Sequence, residues 1–260
     1  MLAKYEQLLR CALENGYTVL PVVDYLSCSP RDARKYLVLR HDVDRALGRA
    51  LRMAQLEHQL GVHSTYYFRT TRAVFNPTVI ARIADLGHEI GYHYEVLDKT
   101  KGDIEAAGAL FAKELAEFRR LADVKTAAMH GNPLTRWDNR DLWKRYSFQD
   151  FNLLGEAYLS FHDIVYLSDT GRTWSPRNKV KDWMPSADGG RMLQPDLNST
   201  DDLMRWLGER DPRSVYLTVH PERWHDKLVG WCVSAAVDLL VNGGKHLLGQ
   251  NGARRCSVRR

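Results

Sequence analysis

Cysteine is scarce in this chain, and none of it is spaced as metal-binding or redox motifs require. Four occur in 260 residues, Cys11, Cys28, Cys232 and Cys256. No two form a C-x-x-C pair, so a cysteine zinc site is not expected. They read as reduced thiols filling the core of a cytosolic protein. Long apolar runs are missing too: nothing approaches the ~20 residues of a membrane span. The stretch from Met1 to Leu13 is interrupted by Lys4, Glu6, Gln7 and Arg10, which does not suit a signal peptide. The expected location is the cytoplasm, which points toward a biosynthetic intermediate rather than an external polymer. No internal repeat and no low-complexity linker occur. No basic stripe interleaved with aromatics suggests a nucleic-acid partner.

What is present is an ordinary globular composition, 44% hydrophobic and 27% charged, enough to bury a core without disulfides. The formal net charge is +5. Part of the excess lies in Arg254, Arg255, Arg259 and Arg260. A basic end of this kind is a solvated tail or a peripheral contact with an anionic membrane surface or phosphate group. Oligomeric state leaves no sequence signal.

Short apolar runs alternate with helical patterns, the signature of β/α units and a largely parallel sheet. A first helix is expected from Leu2 to Asn15, ended by Gly16. Residues 17–35 read as an irregular, partly helical prelude. Strands are expected at 36–39, 64–68, 88–93, 125–129, 164–167 and 215–219. Helices are expected at 45–60, from Asn76-Pro77 to Gly87, at 103–121, after Ser199 and at about 226–240. Residues 134–161 read as loop with short helices, and 171–198 as a Pro/Gly-rich excursion. The fold expected is α/β, a single distorted (β/α) barrel, with an open doubly wound sheet as the alternative. The division expected is a helical prelude over 1–35, the barrel over 36–245 and the basic tail over 246–260.

Several strands finish in ionisable residues at their C-terminal ends, where parallel α/β folds build active sites. Arg40-His41-Asp42-Val43-Asp44 puts two carboxylates on one side of an extended segment. They repel unless a cation lies between them, and a divalent metal or Arg40 meets that need. One carboxylate can hold the metal while the other takes a proton from attacking water. Either aspartate alone could merely cap the next helix. His93 ends another strand, with Glu95 on its face and His88 at the strand's other end. His130 and His220 end two more. Each histidine alone reads as structural; four strand ends delivering Asp, His, His and His to one edge read as a site. One carboxylate with two imidazoles is a common catalytic zinc set.

These segments resemble the polysaccharide deacetylase (NodB-homology) superfamily, the family-4 carbohydrate esterases, over roughly residues 36–221 and in motif order. The resemblance implies Asp42 as general base, Asp44 and His93 as metal ligands and His220 as general acid. Met129-His130-Gly131-Asn132-Pro133 falls at the third motif and Tyr166 to Trp174 near the fourth. Two positions depart. Leu97 stands where the family has a second metal histidine, leaving His130, then Glu95, as candidate third ligand. The third motif lacks its arginine, a role left to Arg40 or Arg172; both also count among the candidate substrate contacts, with Glu95, Trp174 and Trp224. Asp169 is a candidate to orient His220, and the two tryptophans to wall a sugar ring or acyl methyl. The implied activity is metal-dependent, most simply zinc-dependent, removal of an N-acetyl or N-formyl group from a sugar. The implied substrate is a nucleotide- or lipid-linked intermediate of surface polysaccharide (O-antigen) assembly. The competing expectations are a catalytically decayed carbohydrate-binding or scaffold protein, favoured by Leu97, and an amide hydrolase with a non-sugar substrate.

Overall fold

A computed structural model describes residues 1–27, 35–162, 164–177, 179, 181–186, 190, 194–210 and 214–226. The chain begins with α1 (Leu2–Glu14), β1 (Tyr17–Leu20) and α2 (Val22–Ser27), then β2 (Lys35–Val43) and α3 (Leu47–Gln59). Next come β3 (Thr65–Phe68), α4 (Pro77–Asp85), β4 (Glu89–Tyr94), α5 (Val96–Lys99) and α6 (Ile104–Arg119). After β5 (Thr126–Met129) the chain runs through two short 3-10 helices to β6 (Gly155–Glu156). The last described elements are β7 (Val165–Ser168), α7 (Thr200–Arg210) and β8 (Ser214–Val219), followed by a short 3-10 turn.

The boundaries follow local chemistry. Asn76 caps α4 by accepting from the Val79 N–H at 3.1 Å, with Pro77 as first helical residue. Asp103 caps α6 in the same way through Ala106. Ser199 and Asp202 exchange side-chain and backbone hydrogen bonds at 3.1 Å each, a capping box that starts α7. Gly16, Gly61 and Gly87, which follow α1, α3 and α4, all have positive φ. Two strands escaped the sequence reading. β1 lies in the expected prelude and β6 in the unread middle; both are too short for alternation to mark them. The helix expected at 226–240 lies outside the described residues beyond Asp226, as do the basic tail, Cys28, Cys232 and Cys256. No helix among the described residues is long and apolar enough to cross a membrane.

The strand ladders among the described residues are parallel, in the order β6-β5-β4-β3-β2-β8-β7, with β1 paired to the first half of β2. Joined end to end, that order is cyclic in sequence: 2, 3, 4, 5, 6, then 7, 8 and back to 2. This is a distorted (β/α) barrel opened between β6 and β7, not a doubly wound sheet, whose order reverses at a switch point. Strand alternation sorts β2. Leu37 and Leu39 face outward, clustered with Leu8 and Leu9 of α1, Leu203 of α7 and Val215 and Leu217 of β8. Val38, Arg40 and Asp42 face inward. Asp42 lies in register with Tyr67 and Gly91. The Tyr67 ring leans across Gly91, where a Cβ would come within 2.2 Å of it, and its hydroxyl meets Thr126 Oγ1 at 2.8 Å.

His41 faces outward and meets Glu57 of α3, Nε2 to Oε1, at 2.7 Å; both are fully buried. Glu57 also accepts from Ser64 Oγ at 2.6 Å, from the Tyr66 hydroxyl at 3.0 Å and from the Tyr5 hydroxyl. Burial pushes its carboxyl up, but His41, His88 and Ser64 outweigh burial and hold it at about 2, below the ordinary 4.5. The stabilisation is therefore complete above about pH 4.5 and lost as pH falls toward 2, on the order of 3 kcal/mol in all. Urea unfolding at several pH values should show the wild type losing stability on acidification more steeply than Glu57→Gln. Equal slopes would remove Glu57 from the account.

Candidate functional site

Four strands and the turns after them converge on one rim. Alternation puts Arg40 and Asp42 on the inward face of β2 and His93 on that of β4. It likewise aims the chain at His130, beyond β5, and at His220, beyond β8. Arg40 has no exposed surface. Its Nε donates to Asp42 Oδ1 at 2.9 Å and its Nη2 to Oδ2 at 2.8 Å, a bidentate pair. Its Nη1 donates to the Tyr216 hydroxyl at 3.1 Å, and the guanidinium lies 4.2 Å from the Tyr158 ring centre. Burial alone would lower the Arg40 pKa; the Asp42 carboxylate and the surrounding tyrosines raise it well above its ordinary value. Arg40 is thus committed to Asp42 and offers no surface to a substrate.

Asp44 differs from its neighbour. Its Oδ1 is buried without a hydrogen-bond partner among the described residues. It lies 3.5 Å from His93 Nε2, 3.6 Å from His130 Nε2 and 3.9 Å from Arg69 Nη1. Burial works against its ionisation, but His130, His93, His220 and Arg69 hold the carboxyl well below the usual range. His93 Nδ1 is 3.0 Å from the Ala128 carbonyl. A carbonyl only accepts, so Nδ1 carries the proton and Nε2 turns its lone pair toward Asp44, and toward Asp42 Oδ2 at 3.8 Å. Burial lowers the His93 pKa, against the pull of Asp42 and Asp44. Among the described residues no three His, Cys, Asp or Glu side chains stand at ready-made metal-ligand spacing. The observed feature is an orphaned carboxylate oxygen facing two imidazole nitrogens.

His220 and Asp169 form a second unit. Asp169 Oδ1 lies 2.7 Å from His220 Nδ1. Its oxygens also accept from the His220 N–H, from Arg223 Nη1 at 2.8 Å and from Trp224 Nε1 at 2.9 Å. Burial pushes the Asp169 carboxyl up, yet Arg223 and His220 hold it at about 2. Burial and Arg223 disfavour the His220 cation, but Asp169 and Glu222 raise its pKa to about 9. The imidazole is a cation at neutral pH, with a proton to give.

Asp42, Asp44, His93, Glu95, His130, Asp169 and His220 therefore belong to one assembly. Arg172 and Trp174 make none of the side-chain contacts just described, and Trp224 joins the assembly through its hydrogen bond to Asp169. All three line a cavity of about 650 Å³ with Met1, Lys4, Thr200 and Asp169 itself. Trp174 donates to Thr200 Oγ1 at 3.3 Å and packs with Trp224 in the outer core. Leu97, 4% exposed, packs in an apolar cluster with Tyr94, Phe111 and Leu142.

Three residues went unread. Arg69 follows β3 at the same sheet edge as the others, the very signal used for them. Glu222, two residues after His220, buries an Oε2 with no partner among the described residues. Asn139 lies in the segment whose pattern could not be read; its Oδ1 accepts from the Leu97 N–H at 2.9 Å and its Nδ2 donates to the His130 carbonyl at 3.0 Å.

No family model matches the chain, and none of the curated proteins does. Solved structures do. A mutant CE4 family pseudoenzyme with restored enzymatic activity, from Bacillus anthracis, is 13% identical at a TM-score of 0.41, covering 83% of this chain and 65% of that one. The chain thus spans under two thirds of that neighbour. A family 4 carbohydrate esterase from Bacillus anthracis is 13% identical at a TM-score of 0.39, covering 93% of this chain and 86% of its own. The peptidoglycan deacetylase PdaC from Bacillus subtilis is 12% identical at 0.38, covering 86% and 99%. Likenesses this distant carry no argument about chemistry, which rests on the side chains above.

Removing the guanidinium while Asp42 stays would leave a buried charge unpaired. Arg40→Met should cost about 3–5 kcal/mol in urea unfolding. A cost under about 1 kcal/mol would mean that Asp42 finds another partner or protonates.

Proposed function

We propose that this chain is a divalent-metal-dependent hydrolase that removes an N-acetyl or N-formyl group from an amino sugar. The observation that carries the reading is the contrast between two carboxylates on one strand end. Asp42 is saturated by Arg40, whereas Asp44 Oδ1 is orphaned before two imidazole nitrogens. The donor set fits a divalent ion, with zinc first among candidates for one carboxylate and two imidazoles. Asp44, His93 and His130 would hold it, and when bound it would polarise the acyl carbonyl and acidify water.

The protein groups supply the rest. Asp42, oriented by Arg40, takes a proton from the attacking water. The carbon–nitrogen bond breaks, and His220 gives its proton to the departing amine, which leaves poorly without one. Asp169 holds His220 through Nδ1, so the proton delivered comes from Nε2. The products are a carboxylic acid and a free amino sugar. The motif order, similar to that of family-4 carbohydrate esterases, favours sugars among amides. A nucleotide- or lipid-linked intermediate of surface polysaccharide assembly is the substrate proposed, its phosphate suited to a net charge of +5. A decayed binding protein is the second reading, favoured by Leu97 and by the lack of ready-made ligand spacing among the described residues.

The test is release of acetate or formate from acetamido and formamido sugars with zinc supplied. Asp42→Asn and His220→Ala should each lower kcat about 10²–10⁴-fold while keeping the ion. Full activity in Asp42→Asn would remove the base assignment. A wild type that binds these sugars without releasing acid would favour the decayed reading.

A further inference from the structure

Glu95 occupies the N-cap position of α5 but makes no capping hydrogen bond. The residue is 7% exposed, and its carboxylate is turned toward the rim. Arg69 Nη2 donates to Glu95 Oε2 at 2.6 Å, and Lys99 Nζ stands 3.7 Å from Oε1. The same Oε2 lies 3.1 Å from His130 Nδ1. That ring nitrogen is buried and forms no aligned hydrogen bond among the described residues, so Glu95 is the acceptor at hand.

The backbone of His130 is already fixed. Its N–H donates to the Tyr94 carbonyl at 2.7 Å, and its own carbonyl accepts from Asn139 Nδ2. Asn139 is fastened in turn to the start of α5 through the Leu97 and Asp98 N–H groups. What remains open is the rotation of the imidazole and the choice of nitrogen that carries its proton. A carboxylate at Nδ1 settles both, because it only accepts: Nδ1 keeps the proton and Nε2 points its lone pair at Asp44 Oδ1. His93 reaches the same arrangement with a backbone carbonyl in place of the carboxylate.

We propose that Glu95, clamped by Arg69, is a positioning residue that fixes the ring orientation and tautomer of His130 so that Nε2 faces the metal-binding position at Asp44. This rests on the metal-dependent reading above. Glu95 acts through His130 and does not itself touch the ion. Arg69 engages the oxygen nearest the imidazole, which keeps the carboxylate from swinging in as a ligand, and offsets the negative charge that Glu95 adds beside Asp44.

The experiment measures zinc affinity by competition with a chromophoric chelator, and the His130 tautomer in the metal-free protein by 15N NMR of the ring. Glu95→Ala should weaken zinc binding about 10–100-fold. Glu95→Gln, whose amide oxygen still accepts from Nδ1–H, should recover most of that loss. In the metal-free wild type, His130 should carry its proton on Nδ1, and Glu95→Ala should shift it toward Nε2. Equal losses in the Gln and Ala variants would make Glu95 a direct ligand and overturn the proposal. Wild-type affinity in Glu95→Ala would overturn it as well. A wild type that binds no zinc would sink the metal-dependent reading, while the tautomer measurement still decides the positioning role: a proton on Nε2 in the wild type would contradict it.

Discussion

Inside the barrel a guanidinium with no exposed surface lies against the carboxylate two residues further along the same strand. Strand alternation turns both Arg40 and Asp42 inward, so neither can escape the other. Burying either alone would cost several kcal/mol, and together they form a bidentate pair. The surroundings are shaped to receive it. Tyr158, Tyr67 and Tyr216 present rings or a hydroxyl to the guanidinium. Tyr67 reaches that position only because residue 91 is a glycine. The pair thus fixes the Asp42 carboxylate in place before any substrate arrives.

From that anchor the rim divides into distinct electrostatic roles. Asp42 is satisfied by Arg40, and Asp44 is left with an oxygen unpaired among the described residues. His93 is kept neutral by burial and aimed by the Ala128 carbonyl. His220 is kept cationic by Asp169, itself held by Arg223 and Trp224. Two imidazoles of the same fold therefore sit in opposite protonation states, one fit to ligate and one fit to donate a proton. The difference lies in the balance of burial against nearby charge: burial outweighs Asp42 and Asp44 at His93, whereas Asp169 and Glu222 outweigh burial at His220.

Much of this was legible in the sequence, because strand ends in a parallel barrel carry their chemistry in register. Asp42, Asp44, His93, His130 and His220 were each read from a strand's last residues, and they meet. Arg69 bore the same mark at the end of β3 and was passed over. Arg172 was read as a possible replacement arginine, and Trp174 and Trp224 as a wall for a sugar ring or acyl methyl. The three line one cavity with Asp169 beside α1 and α7, and Trp224 also bonds to Asp169. Asn139 had no pattern to betray it: its role is three backbone tethers from an irregular segment. Arg40 was legible as a charge near the two aspartates, but that it serves Asp42 alone required the geometry. Leu97 was read as a lost ligand; it is a core residue whose backbone helps to hold His130.

The central claim is that the orphaned Asp44 oxygen and the two imidazoles before it form a metal-binding position. Anomalous diffraction at the zinc edge, from crystals of the wild-type protein grown with zinc, tests it most directly. The account predicts one peak per chain within bonding distance of Asp44 Oδ1, His93 Nε2 and His130 Nε2. Saturating zinc with no peak at that place, or a peak held by other residues alone, would contradict it.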